Sequence, residues 1–264
     1  MYASICQFAP TDDPVANASS IVAFAEQAAM EGSRLLLTPE ASMIRFGDSA
    51  EPVAPHAQPL DGQFVTDLAA ASAEFDITIV AGAYTPGSAD RAVNTLVAVQ
   101  GGKLIGHYDK LHLYDAFDYA ESNKVQPGKN SPVTIDVDGI RFGLATCYDL
   151  RFPEIFRVLV DAGADAFLLP AAWVKGTSKE EHWFTLLRAR AIENTAYVLA
   201  SGEAGIKSIG RSAVFDPMGL QLADLGMDPG LVTVKLDRLR IDSVRRTLPC
   251  LNNRRFAVVA RQAD

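Results

Sequence analysis

Apolar and polar positions along this chain follow two rhythms. Short unbroken apolar runs have the length of buried strands. Longer stretches between them repeat apolar residues every three or four positions, as helices do. Tyr2 to Phe8 is the first run. Pro14 to Glu31 then sets Val15, Ala18, Ile21, Val22, Ala25 and Ala28 on one helical face. Leu35-Leu36-Leu37-Thr38 predicts a short buried strand, and Asp61 to Glu74 a helix with Phe64, Leu68 and Ala71 facing inward. Strands are predicted at 77–84, 94–100 and 103–108, the last two joined at Gly101-Gly102.

The same rhythm then repeats. Strands at 133–137 and 140–145 flank Asp138-Gly139, a hairpin turn. A helix at 153–162, a strand at 166–169 and a helix at 180–194 follow, then strands at 196–201, 212–215 and 231–235. Strand–helix alternation with added hairpins predicts a layered α/β fold. No break in composition divides it, so one domain is expected over residues 1–264. The tail, about 249–264, is polar and partly basic through Asn252, Asn253, Arg254 and Arg255, then apolar from Phe256 to Ala260. An apolar segment beyond the last core strand needs a surface to cover, and a partner subunit is a candidate.

Composition narrows the partners. Hydrophobic residues make up 48% and charged residues 21%, ordinary for a soluble enzyme. A net charge of −8 argues against nucleic acid or an anionic membrane as partner, since both require a basic field. No run reaches the roughly 18 apolar residues of a membrane helix. The opening MYASICQFAP lacks a basic segment and an export-length apolar core. Cys6, Cys147 and Cys250 are odd in number and far apart, so free thiols in a reducing, cytoplasmic compartment are expected.

Three buried strands stop at an ionisable residue: one reaches Glu40, one Lys110 and one Cys147. Ligands gather outside the carboxyl ends of strands in layered α/β folds. A carboxylate, an ammonium and a thiol would thus share one pocket. Cys147 is open to two readings, a small buried hydrophobe or a nucleophile. Pro153 and Glu154 open a helix just beyond it, and a helix N-terminus favours the thiolate and holds an oxyanion. His112 and His182 either lie near the site or are structural, so the base falls to Glu40, whose pKa a dry pocket would raise. Trp173 and Trp183 either line a pocket or fill the core. The chain has no G-x-S-x-G, P-loop, G-x-G-x-x-G, H-E-x-x-H or C-x-x-C pattern.

Taken together, Pro39-Glu40, the segment Lys110 to Asp115, Glu121-Ser122 and the segment Cys147 to Glu154 resemble the carbon-nitrogen hydrolase (nitrilase-like) family, in order and in spacing. The resemblance implies a four-layer α-β-β-α sandwich that pairs into a homodimer or larger assembly, with no metal or organic cofactor. It implies that Cys147 attacks the carbonyl, Glu40 is the general base, Lys110 stabilises the oxyanion with the backbone N–H of Tyr148, and Glu121 orients lysine and substrate. Within the family, KLHLYDAF (110–117), LPAAWVK (169–175), Glu181-His182-Trp183 and Leu251 to Phe256 are most similar to amidases of deaminated glutathione, with ω-amidases as the alternative. Their substrates are small amides of 2-oxo acids. Candidate substrate contacts are Tyr148, Arg151, Thr177, Tyr114 and Trp173. Arg151 either forks onto a substrate carboxylate or pairs with Asp149 or Glu154.

Overall fold

The computed structural model describes residues 1–47, 51–88, 90–129 and 132–259. In chain order the elements are β1 (Tyr2–Gln7), α1 (Pro14–Met30), β2 (Ser33–Leu37), α2 (Gln63–Glu74), β3 (Thr78–Pro86), β4 (Ala92–Gln100) and β5 (Lys103–Asp109). Three two-residue strands follow, β6 (Asp115–Ala116), β7 (Tyr119–Ala120) and β8 (Val125–Gln126). Then come β9 (Thr134–Val137), β10 (Ile140–Leu144), α3 (Pro153–Asp161), β11 (Ala166–Ala171), α4 (Lys179–Asn194) and β12 (Tyr197–Gly202). The chain closes with β13 (Ala213–Phe215), β14 (Gln221–Asp224), β15 (Gly230–Lys235) and α5 (Arg238–Thr247).

Local chemistry accounts for the boundaries. Asp13 caps α1 by accepting from the N–H groups of Val15 and Ala16, and Pro14 occupies the first helical position. Asp138 and Gly139 both adopt positive φ (45° and 77°), the turn that matches strand twist, so β9 and β10 pair Ile140 with Val137.

Two sheets result. The first has the order β15-β1-β2-β3-β4-β5, with β8 on β4, and the second β14-β13-β12-β11-β10-β9. Their inner faces share one core, in which Ile5, Leu37, Val80 and Tyr108 meet Phe142, Leu168 and Leu199. α1 and α2 cover the outer face of the first sheet through Ile21, Ala25, Phe64 and Leu68. α3 and α4 cover the second through Phe156, Leu159, Trp183 and Leu187. The layers therefore run α-β-β-α, as expected.

Pairing also fixes where strands end. β2 and β3 are parallel, and β5 returns to the same direction through antiparallel β4. β10, β11 and β12 are parallel to one another. Residues following β2 and β5, and those following β10, β11 and β12, thus gather at common edges.

Five elements lie outside the sequence expectation, the two-residue strands β6, β7 and β8, and β14 and α5. α5 has few apolar residues and many charges, but Ile241 and Val244 are buried. Its arginines hold it down: Arg238 and Arg245 reach Asp165, and Arg240 reaches Asp216, both aspartates nearly buried. Ion pairs replace the apolar stripe that a sequence pattern would detect. Of the apolar tail, Phe256 to Val259 are described and largely exposed, and residues 260–264 lie outside the described residues.

Candidate active site

Glu40 lies on the turn after β2. Ala41 there has φ 55°, and the turn packs on β3 so closely that a side chain at Gly82 would meet the Ala41 nitrogen at 2.5 Å. Lys110 follows directly on β5, and Cys147 lies three residues after β10. The Nζ of Lys110 donates to Glu40 Oε1 and to Glu121 Oε2, each at 2.8 Å. All three side chains are fully buried. Asn94, on β4, donates to the same two carboxylates at 2.9 and 3.1 Å. The Ala172 N–H donates to Glu40 Oε2 at 2.8 Å, and the Tyr114 N–H to Glu121 at 2.7 Å. Cys147 lies at the other end of this chain, near enough for the Glu40 carboxylate to raise its thiol.

Charges settle accordingly. Burial alone would raise the Glu40 carboxyl, but the Lys110 ammonium outweighs it and holds it below the usual carboxylate range. This reverses the rise expected from sequence. Burial works against the Lys110 ammonium, yet the two carboxylates raise it well above an ordinary lysine. Burial and the neighbouring Glu40 raise the Cys147 thiol well above its usual value. A resting thiolate, expected from a helix N-terminus, is therefore not what this environment favours. α3 begins only at Pro153, and a single 3-10 turn, Cys147–Arg151, lies between. The site instead sets a thiol raised by burial and by Glu40 beside a carboxylate that Lys110 holds low.

Cys147 adopts φ 47°, a strained conformation for a residue with a side chain. Buried Asp149 holds this turn. It accepts from the Thr146 N–H (2.8 Å), the Tyr108 hydroxyl (2.8 Å) and the His112 N–H (3.2 Å), and its carboxylate meets His112 Nδ1 at 2.7 Å. His112 stacks on Phe152 with ring centres 3.7 Å apart. His112 is thus a brace for the Cys147 turn. The N–H of Tyr148 opens that turn, where helices leave donors without internal acceptors.

Beside Cys147 is a narrow slot, about 10 Å³, lined among others by Phe46, Tyr114, Tyr148, Arg151, Trp173 and Lys179. Of the five predicted substrate contacts, four line it. Thr177 does not; it borders an adjoining cavity of about 300 Å³ with Phe117, Lys175 and Gly176. Arg151 pairs with neither Asp149 nor Glu154. Its guanidinium lies over Trp173 at 4.9 Å and reaches His182 at 3.5 Å, and its Nε has no partner. The two tryptophans divide the roles left open: Trp173 lines the slot, and Trp183 fills the core.

Sequence reasoning passed over Asn94 and Lys179. An asparagine inside an apolar strand run was the available signal for Asn94, since strands disfavour it. Lys179, in KGTSKEEHW, resembles a solvated helix start.

A family model described as carbon-nitrogen hydrolase matches residues 2–246. The chain is 42% identical over 251 residues to the deaminated glutathione amidase of Escherichia coli O157:H7, covering 95% of this chain and 96% of the relative. Saccharomyces cerevisiae Nit3, a member of branch 10 of the nitrilase superfamily, superposes with a TM-score of 0.86 at 28% identity, over 97% of each chain. A mutant amidase from Nesterenkonia sp. AN1, showing the result of Michael addition of acrylamide at its active site cysteine, gives 0.80 at 26% identity, over 94% of this chain and 98% of that one.

Proposed function

This chain belongs to the carbon-nitrogen hydrolase family, it is a hydrolase of non-peptide carbon–nitrogen bonds, and on that premise we propose that Cys147 is its nucleophile and small amides of 2-oxo acids its substrates. One observation carries the reading: a fully buried Glu121–Lys110–Glu40 chain lies beside the Cys147 thiol, which the Glu40 carboxylate raises.

The chemistry follows from that order. Cys147 Sγ attacks the amide carbon while Glu40 takes the thiol proton, so no free thiolate accumulates. The carbonyl oxygen becomes an oxyanion held by the Lys110 ammonium and the Tyr148 N–H. Glu40 returns its proton to the departing amine as the carbon–nitrogen bond breaks, leaving a thioester on Cys147. Glu40 then deprotonates a water that attacks the thioester, and the thiol is restored. Glu121, Asn94 and the Ala172 N–H keep lysine and carboxylate aimed throughout.

The relative's name supports deaminated glutathione as substrate, cleaved to 2-oxoglutarate and cysteinylglycine, a repair reaction. Arg151 suits that acyl group. Its planar fork lies in the slot with no carboxylate partner among the described residues, and a 2-oxo acid carries a carboxylate at the end remote from the scissile bond. The exposed tail Phe256 to Val259 supports a homodimer or larger assembly, and three free thiols suit a cytoplasmic setting. Among the described residues no helix is long and apolar enough to cross a membrane.

The test is amine or ammonia release across a panel of deaminated glutathione, other 2-oxo-acid amides, simple amides, carbamoyl amino acids and nitriles. Deaminated glutathione is expected to give the highest kcat/KM. A preference for nitriles or carbamoyl compounds would overturn the substrate, and absence of any amide hydrolysis would overturn the mechanism.

A further inference from the structure

Lys179 is the charged side chain of the slot that the reaction leaves without a task. It opens α4 and is 5% exposed. Its Nζ donates to the Tyr114 hydroxyl at 2.8 Å and stands over three rings, Phe117 at 4.2 Å, Tyr114 at 4.8 Å and Trp173 at 5.5 Å. It forms no ion pair with a carboxylate among the described residues. The charged neighbour that acts on it most is Arg151, of the same sign, over the same Trp173 ring at 4.9 Å. Burial, and then Arg151, hold the ammonium below an ordinary lysine.

Two cations in one largely dry slot, neither matched by an anion, are costly. Aromatic faces offset part of that cost for each cation, about 0.5–2 kcal/mol. They do nothing for the repulsion between the two. The site's own carboxylates, Glu40 and Glu121, both bond Lys110, and neither forms an ion pair with Lys179 or Arg151 among the described residues. The scissile amide is neutral. No carboxylate of the described residues meets these two cations, so an anion in contact with them would arrive with the substrate. An ammonium has three donors, and the Tyr114 hydroxyl occupies one. Two remain for a ligand, beside the unpartnered Nε of Arg151. A carboxylate has lone pairs enough to accept from both side chains.

We propose that Lys179 is a specificity-determining residue, which with Arg151 holds the carboxylate on the acyl portion of the substrate. The proposal deepens the reading above and rests on it, because a 2-oxo acid amide supplies such a carboxylate. Lys179 borders both the slot and the adjoining 300 Å³ cavity. Its charge thus stands where an acyl group extending from Cys147 would leave the slot.

The experiment compares kcat/KM for 2-oxoglutaramate with that for pentanamide, an uncharged amide of equal chain length, in the wild type, Lys179→Met and Lys179→Arg. Thermal melts report folding. The wild type is expected to favour the charged amide strongly. Lys179→Met is expected to lower that ratio about 10- to 150-fold, the range for losing a hydrogen bond to a charged group. Lys179→Arg should restore most of it. A wild-type ratio near one would overturn the charged-substrate reading itself. A high wild-type ratio that Lys179→Met leaves intact, or an equal loss on both amides, would overturn the role of Lys179 alone. Should Lys179→Met fail to fold, Lys179→Gln keeps a donor for Tyr114 and carries the same comparison.

Discussion

Replacing Lys110 with methionine removes one charge and leaves two. Methionine keeps nearly the length of the lysine stem, so the core around β5 remains filled. Glu40 and Glu121, each 2.8 Å from the lost ammonium, then face one another across no more than about 5.6 Å, with only Asn94 donating to both. Two carboxylates this close in a dry site do not both ionise, so one takes up a proton. Breaking a buried pair by removing one partner costs roughly 3–5 kcal/mol. At about 2–4 °C per kcal/mol for a chain near this size, the melting temperature should fall by roughly 6–20 °C. The sign with pH follows. The retained proton means a carboxyl whose folded pKa is raised above its unfolded one. Its favourable contribution is complete below the unfolded pKa, about 4.3, and disappears as pH rises through the folded one. In the wild type Glu40 is lowered instead, so its contribution is complete at neutral pH and fails only in acid. The stability gap between wild type and Lys110→Met should therefore widen between pH 5.5 and pH 8. Calorimetry at several pH values reads it. Turnover should fall at least about 100- to 1,000-fold, the usual loss for one oxyanion donor. A variant that melts like the wild type at every pH, or turns over normally, would refute the buried-charge account.

Further outcomes follow from other groups. Cys147→Ala and Cys147→Ser should fold and show no turnover in the amide assay, while Cys6→Ala, buried in β1, should keep it; normal rates in Cys147→Ala would end the mechanism. Glu203, after β12, is raised to about 8 by burial and by Glu40. The wild type should thus lose stability as pH climbs from about 4.5 toward 8, by at most about 1.4 kcal/mol per unit for one proton. Glu203→Gln should flatten that part of the melting curve, and an unchanged slope would contradict the assignment. Sedimentation at micromolar concentration should find a dimer or larger species, since Phe256 is 93% and Val259 83% exposed on the single chain. A stable monomer would contradict it.

Much of this architecture is legible in the sequence because its strands are buried on both faces and read as unbroken apolar runs. The hairpin at Asp138-Gly139 and the cap at Asp13 announce themselves by residue type. Glu40, Lys110 and Cys147 stand out because each ends such a run. α5 does not, since arginines paired with Asp165 and Asp216 do what an apolar stripe usually does. Lys179 and Asn94 escape notice for a different reason. Their meaning depends on partners far along the chain: Asn94 reaches residues 54 positions before it and 27 after, and Lys179 reaches Tyr114, 65 before it. The pKa directions were likewise not local. Dryness would raise Glu40, and only the Lys110 contact reverses it.

Glu40 and Lys110 hang from the first sheet and Cys147 from the second, so the two halves of the proposed mechanism meet only where the layers are in register. Apolar side chains tolerate a small slip between the sheets, because dispersion contacts are many and individually weak. Passing a proton from thiol to carboxylate tolerates far less, because hydrogen-bond geometry weakens steeply with distance and angle. The enzyme is therefore its own strain gauge. Under mild denaturant or pressure, catalysis should fade while circular dichroism and fluorescence still report intact layers.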